Sequence, residues 1–395
     1  MTDILVIGGG AAGLFFAREA GKRGGRVLVL EKQERLAKKL LMAGGGKANF
    51  GNRTVAESDY IGDAPGFIRF ALKAFGPEKF PGMLKERGIP IEEREQGRLF
   101  CRETAGDILD MLRTECRDAG VRILTGHGVD GVSRRAEGGF LVRSGGKGFL
   151  ARRLVLASGS PAWPASGADD SGLRLARGLG HRIIPPRPVL TPLILAQDSS
   201  FADLAGISVP VRIACDMPGT PEFEDALLFT HKGLSGPAVL QISCYWRKGA
   251  ELRINFLPDA DATALLDAPE SGKATPKSLL ARHLPERLVL ALLPPALCGR
   301  KCAELSRAQR AAVHAAIHAH RVTPLRTPGM AQAEACAGGV DTAGVDPRRM
   351  ESRLVPGLFF CGEILDVAGR LGGYNLHWAW ASAHLAARSA VKAPS

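Results

Sequence analysis

The stretch DILVIGGGAAG, Asp3 to Gly13, decides the fold. Its first half is a short unbroken apolar run, the pattern of a strand buried on both faces. Its second half places Gly8, Gly10 and Gly13 in the spacing G-x-G-x-x-G, and Gly13 to Arg23 continues as an amphipathic helix. A second apolar strand, RVLVLE, ends in Glu31, eighteen residues beyond Gly13. Strand, glycine turn, helix and acid in that register make a dinucleotide-binding βαβ unit. The glycines permit a tight turn and bring a pyrophosphate to the helix N-terminus at Ala11 and Ala12, while Glu31 can bind a ribose hydroxyl.

A second glycine cluster follows in LLMAGGGKANFGN, Leu40 to Asn52. Glycine loses the most entropy on ordering and adds no packing, so the triplet Gly44, Gly45, Gly46 marks close approach of backbone to a ligand. The match Gly126-x-Gly128-x-x-Gly131 is different. Polar, glycine-broken VSRRAEGGF comes after it, not a helix, so it reads as a turn. That leaves one dinucleotide site and none for a resident nicotinamide. Two later strands end in small or acidic residues, LVLASGS (Leu154 to Ser160) and PGLFFCGE (Pro356 to Glu363). Such returns of the chain to the nucleotide favour FAD over NAD as the resident group.

The chain has 395 residues, 45% hydrophobic and 23% charged, enough for one large or two to three ordinary domains. Eight cysteines without a CxxC fit reduced thiols. With no leader pattern at the N-terminus and no apolar run of about eighteen residues, the cytoplasm is the expected compartment, without a membrane. The net charge is +12. Between Ser271 and Met330, ten Lys/Arg face only Glu286 and Glu304, leaving +8 in that segment. Such a face attracts polyanions, nucleic acid first among them, and Arg300, Lys301, Arg307 and Arg310 are its candidate RNA contacts. The alternative is a solvated helical surface.

The coarse pattern gives an α/β fold, a Rossmann-like FAD-binding domain with an inserted small β-barrel-like domain and a helical insert. The FAD domain takes residues 1–190 and 341–395, and so holds both ends of the sequence. The β-barrel-like domain takes 191–258 and 323–340, and the basic helical insert 259–322. In SRAQRAAVHAAIHAH, Ser306 is a helix N-cap. The final helix is placed at Trp378 to Ala390, with Trp378 and Trp380 as core.

The motifs GGGAAG, KLLMAGGGKANFGN, GRLFC, LLFTHKGLSGPAVLQIS, AGGVD (Ala337 to Asp341) and GEILDVAGRLGGYNLHWAW run nearly end to end. By them the chain resembles the YhiN/BaiN-type family of bacterial FAD-dependent oxidoreductases, and within it most resembles the ribosomal RNA dihydrouridine synthase branch. The resemblance implies that Gly44 to Lys47 lie near the pyrophosphate and ring of FAD. It also implies that Gly372, Gly373, Tyr374 and Asn375 cover the isoalloxazine. Lys32, Lys39, Asn49, Val129, Ala157, Ser158, Gly159, Gly362, Glu363 and Asp366 complete the expected cofactor set. Relatives carry Gly-Gly-Gly-Arg-Cys-Asn-Phe-Thr-Asn where this chain has Lys47, Ala48 and Gly51. Lysine keeps the charge and loses the planar fork.

Activities implied by the resemblance are reduction of a uracil in large-subunit ribosomal RNA, reduction of enone-type steroids, and oxidation of a small amine. The first two add a hydride to the β-carbon of a conjugated carbonyl and a proton to the α-carbon. NAD(P)H is the expected transient electron donor and ribosomal RNA the expected partner. A non-catalytic RNA-binding flavoprotein is the remaining alternative.

Cys101, after GRLF, is the candidate proton donor, because a thiol with an ordinary pKa of about 8.5 is protonated at neutral pH yet acidic enough to donate. The competing readings are a plain core thiol at Cys101, or Cys361 as donor. Cys298, Cys302, His314 and His318 have zinc-finger-like spacing, but i, i+4 histidines on an Ala-rich helix are ordinary surface residues, and no metal is expected. His231 and Ser235 precede Gly236-Pro237, either a phosphate-binding helix start or a capped helix of the barrel.

Overall fold

The computed structural model describes residues 2–62, 66–196 and 201–391. The chain divides into two compact units, residues 1–188 with 334–395, and residues 189–333.

In the first unit, β1 (Thr2–Ile7), α1 (Ala11–Lys22) and β2 (Val27–Leu30) form the opening βαβ. β1 runs parallel to β2 on one side, Ile4 opposite Val27 and Ile7 opposite Leu30. On its other side lies the parallel strand Lys147–Leu156, which is parallel in turn to Leu358–Phe360. The strand Arg122–Leu124 extends the sheet beyond β2. Leu5, Val6, Val29 and Leu154 to Leu156 are fully buried, as central parallel strands covered on both faces must be. A β-carbon on Gly13 would stand 1.9 Å from the Gly8 carbonyl oxygen, so glycine alone lets the helix pack this tightly on its turn. The C-terminal ends of these strands, where doubly wound folds bind ligands, carry Gly8, Ala157 and Cys361.

The long helix Tyr374–Ala390 packs on α1. It begins four residues before the Trp378 start read from sequence, because left-handed Gly373 (φ 89°) precedes it as N-cap. Trp378 and Trp380 are core residues. Trp380 stacks on Phe80 at 4.3 Å between ring centroids and donates Nε1–H to the Phe50 carbonyl. Phe50 lies on β3 (Asn49–Asn52), in a small antiparallel sheet ordered β3, Arg98–Cys101, Ile91–Arg94.

The second unit is built on a six-stranded antiparallel sheet, in the order Leu193–Ile194, Gly233–Ser235, Phe223–Thr230, Ser208–Cys215, Leu252–Asn255, His320–Val322. Ile194 exchanges backbone hydrogen bonds with the Leu325–Arg326 segment just beyond the last strand, each 2.8 Å, which draws the two edges together into a barrel. Helices Ala262–Asp267, Pro276–Leu280, Glu286–Leu292 and Arg307–His318 lie in the chain between the strands Leu252–Asn255 and His320–Val322. Ser306 caps the last with a reciprocal Gln309 bond.

Two domain boundaries differ from the sequence reading. Leu280, Val289, Val313 and Ile317 share one hydrophobic cluster with barrel residues Ile254 and Phe256, so the helical insert has no core of its own. Residues 334–340, read as barrel, belong to the first unit. Their strand Ala335–Val340 pairs with Ile183–Val189, and its Gly338 N–H bonds the Asp366 carboxylate.

Candidate cofactor site

The turn after β1 is built around Glu31. Gly9 N–H donates to Glu31 Oε2 at 2.6 Å and Gln33 N–H to Oε1 at 2.8 Å. Each carboxylate oxygen keeps a further acceptor site, so the acid is oriented yet still able to take a ribose hydroxyl. α1 starts at Gly10 without a side-chain cap, which leaves the first-turn N–H groups at Ala11, Ala12 and Gly13 aimed outward at the positive end of the helix. A β-carbon on Gly10 would meet nothing within 4 Å.

Two other segments converge on this turn. Ala157 follows the neighbouring strand, and a β-carbon on Gly8 would lie 2.5 Å from its carbonyl. Ser158 Oγ is buried with no hydrogen-bond partner among the described residues, and Gly159 (φ 75°) faces open space. Gly362 reaches the same helix, since a β-carbon there would stand 2.7 Å from Ala12 Cβ. Trp378 Nε1–H and Ser382 Oγ hold Gly362 through its carbonyl and its N–H. Next to it, Glu363 accepts from Lys39 Nζ at 2.7 Å and from Cys336 N–H at 3.2 Å.

The second glycine cluster bends back after α2 (Lys38–Met42) through three left-handed residues, Gly44, Gly45 and Gly46. A β-carbon on Gly44 would strike Phe100 and Asn49 N, whereas Gly45 is open. Ala48, fully buried, is also left-handed (φ 47°). Lys47 pairs with Glu92 at 3.6 Å. Across this loop the Gly372–Gly373 turn is pinned by two asparagines. Asn52 Nδ2 donates to Gly372 O at 3.2 Å. Asn49, its amide oriented by its neighbours, accepts from Gly373 N–H at 3.0 Å. Asn52 does not stand out in the sequence, although it sits in the quoted loop.

An uncapped helix start and glycines open at positions 10, 45 and 159 form a cradle that fits a dinucleotide, with the orphaned Ser158 hydroxyl beside it against Gly172. Lys32, next to Glu31, is paired with Asp169, and Val129 lies two residues beyond His127, whose N–H bonds the Glu31 carbonyl. The turn at Gly126 contacts Glu31 through His127 N–H and leads into the strand Gly131–Arg134, so it is no second nucleotide turn. Asn375 spends its amide on both backbone groups of Gly369, and Asp366 is bonded to Gly338, so both brace the fold.

For Cys101 the structure favours the competing reading, a core thiol. It ends the central strand of the small sheet with no exposed surface, its N–H bonded to the Lys47 carbonyl, and burial pushes its thiol up to about 12. A side chain sealed in the core cannot reach a substrate. Cys361 is equally buried. Tyr374 is the nearest alternative. Its ring lies against Gly372, and burial together with Asp59 raises its phenol pKa, so it stays protonated.

In the second unit, Arg300, Lys301 and Arg307 are exposed, with no carboxylate partner among the described residues, and so are Arg282 and Arg287. Arg310 differs from them. It pairs with Asp267 at 2.5 Å and donates to the Leu266 and Cys302 carbonyls, so it ties helices together and is not available to phosphate. His314 and His318 meet Asp261, with ligand atoms within 4.8 Å, while Cys298 and Cys302 take no part in the group. His318 Nε2 accepts from Ala262 N–H and its Nδ1 bonds Asn255, so both ring nitrogens are already committed. Pro237–Ser243 is a seven-residue, mostly buried helix on the barrel that opens at Gly236 without a side-chain cap.

The model of the HI0933-like protein Rossmann domain matches residues 2–389. The chain is 39% identical over 404 residues to the ribosomal RNA dihydrouridine synthase of Escherichia coli K12, covering all of this chain and 99% of that protein. It is 35% identical over 412 residues to the 3-dehydro-bile acid delta(4,6)-reductase of Clostridium scindens, covering both in full. Among solved structures, the 3-ketosteroid-delta4-(5alpha)-dehydrogenase of Rhodococcus jostii RHA1 aligns with TM-score 0.50 at 17% identity, over 99% of this chain and 97% of that one. That likeness shows the shared Rossmann-like FAD-binding fold. The chain belongs to the HI0933-like Rossmann family.

Proposed function

We propose that the protein is an FAD-dependent oxidoreductase that reduces a uridine of 23S ribosomal RNA to dihydrouridine, drawing electrons from NAD(P)H in the cytoplasm. The full-length 39% identity to a ribosomal RNA dihydrouridine synthase carries the reading. The cradle at Gly10, Gly45 and Gly159 supports the cofactor, and the exposed cations Arg300, Lys301 and Arg307 support a polyanionic substrate. FAD, when bound, supplies hydride chemistry.

Saturating the C5–C6 bond of uracil needs a hydride at C6 and a proton at C5. A base buried in a folded RNA must first be single-stranded or turned out of its stack. With Cys101 sealed away, Tyr374 takes the role of acid. Its rival Tyr60 already donates its hydroxyl to the Tyr374 carbonyl at 3.1 Å.

The 35% identity to a bile acid reductase favours a second reading, reduction of a small conjugated ketone by the same pair of additions. Mass analysis of 23S ribosomal RNA from a strain lacking this protein separates the two. Loss of one dihydrouridine, restored by the plasmid-borne protein, is the expected result, and an unchanged RNA refutes the ribosomal assignment.

A further inference from the structure

Trp163 is held in a backbone conformation that a bulky residue avoids, and among the described residues its side chain has no hydrogen-bond partner or ring contact. Its φ and ψ are 63° and 64°, left-handed, and Pro164 follows. A residue before proline favours extended backbone, and a bulky residue with positive φ is a strained outlier, so two preferences are overridden at once. The surrounding contacts hold it there. Ser166 donates both N–H and Oγ–H to the Trp163 carbonyl, at 2.9 and 2.8 Å.

The other three tryptophans each place their indole N–H on a carbonyl, Trp246 on Ala250, Trp378 on Gly362 and Trp380 on Phe50. The half-buried Trp163 has no such partner among the described residues, stacks on no ring there, and stands outside the hydrophobic cluster of its unit. Its position explains why it is retained. It follows Ala157, Ser158 and Gly159 by four residues, and the turn it starts, Pro164–Ser166, packs on α2 next to the glycine triplet. The far end of that turn presses on the ribose-binding acid's neighbour, since a β-carbon on Gly167 would lie 2.5 Å from the Gln33 side chain. Trp163 therefore emerges amid the segments that form the dinucleotide cradle.

We propose that the Trp163 indole is part of the cofactor site and packs on a planar ring of the bound FAD. Strain concentrated at a ligand clamp is retained when the ligand rewards it, and an amphipathic aromatic ring suits a nucleotide or flavin ring. The inference rests on the FAD reading above. The test uses wild-type, W163F and W163G proteins stripped of cofactor and titrated with FAD.

Glycine adopts φ 63° freely, so the W163G apoprotein should melt at the wild-type temperature or higher. Its FAD dissociation constant should nevertheless rise about tenfold or more, the change expected on removing one well-packed ring. W163F, which keeps a planar ring, should bind FAD within a few-fold of the wild type. W163G binding FAD as tightly as wild type, or W163F weakened as far as W163G, overturns the role of the Trp163 ring. Wild-type apoprotein that takes up no FAD overturns the cofactor reading itself, and the Trp163 role with it.

Discussion

Lys39 Nζ stands 2.7 Å from Glu363 Oε2, joining residues 324 positions apart. The pair connects α2, which leads into the second glycine cluster, to the C-terminal return of the chain at Gly362. With Lys39 36% exposed and Glu363 17% exposed at the side chain, solvent screens the charges, so the pair contributes about 1 kcal/mol or less to folding. The expected effect of the pair is to orient Glu363 beside Gly362. E363Q should therefore lower the apoprotein melting temperature by only about 2–4 °C. The same change should weaken FAD binding about tenfold, because hydrogen bonds to a charged acceptor are among the stronger ones. Fluorescence titration of the stripped protein alongside a thermal melt checks both, and equal losses in the two would reduce the pair to a structural tie.

The acid assignment gives a second prediction. C101A removes a fully buried sulfur and should cost about 1 kcal/mol of stability while leaving transfer to RNA close to normal. Y374F should leave reduction by NAD(P)H intact and slow transfer on the order of a hundredfold, the usual worth of a positioned general acid. The measurement is reoxidation of the reduced protein by uridine-containing RNA. A slow C101A with a normal Y374F would reverse the assignment.

The first βαβ unit was legible because its determinants are local. Gly8, Gly10 and Gly13 fix the turn and Ile4 to Ile7 the strand, and Glu31 ends the next strand within the same short stretch. The Ser306 cap was legible for the same reason. Arg310 was not, because its partners Asp267, Leu266 O and Cys302 O are brought to it by packing of separate helices. For Cys101 the sequence left a proton donor and a plain core thiol both open, because GRLFC alone does not show which strands flank it. Its strand is the central one of three, paired with both Asn49–Asn52 and Ile91–Arg94, and the fold around that strand leaves Cys101 no exposed surface. The boundary at residue 334 likewise depends on a strand pairing with Ile183–Val189, which no local pattern announces.

The basic surface gives a third prediction, which separates binding cations from structural ones. R300Q/K301Q/R307Q should weaken RNA binding and flatten the dependence of log K on log salt by about 2 units, at roughly 0.7 for each phosphate of a single strand that is no longer neutralised. R310Q should leave that slope unchanged and destabilise the second unit by about 1–2 kcal/mol, since Asp267 and two carbonyls lose a charged donor. Filter binding across a salt series and a thermal melt distinguish them. A triple variant with the wild-type slope would make this face ordinary solvated surface.

The last prediction concerns acid stability and His377. This side chain is 1% exposed on the C-terminal helix, packed beside Phe75, and its Nε2 has no hydrogen-bond partner among the described residues. Burial pushes its pKa down to about 4, against the opposing pull of the Phe75 backbone and of Glu78. Unfolded, the imidazole titrates near its ordinary value of about 6.5. The folded state thus binds fewer protons than the unfolded state between those values, so stability is complete above about pH 6.5 and falls as the pH drops toward 4. The span corresponds to about 3 kcal/mol, at roughly 1.36 kcal/mol per pKa unit. Glu19, held down to about 2 by His384, Arg23 and Arg18 despite its burial, adds acid sensitivity only below the ordinary glutamate range. The window from about 6.5 to about 4.5 is therefore free of it. H377N, which keeps a polar side chain without a titrating ring, should be less stable than wild type at about pH 7.5 yet lose distinctly less between about pH 6.5 and 4.5. Urea midpoints at a series of pH values measure the difference. Parallel pH profiles for the two proteins would show that the imidazole is not protonated on unfolding in this range.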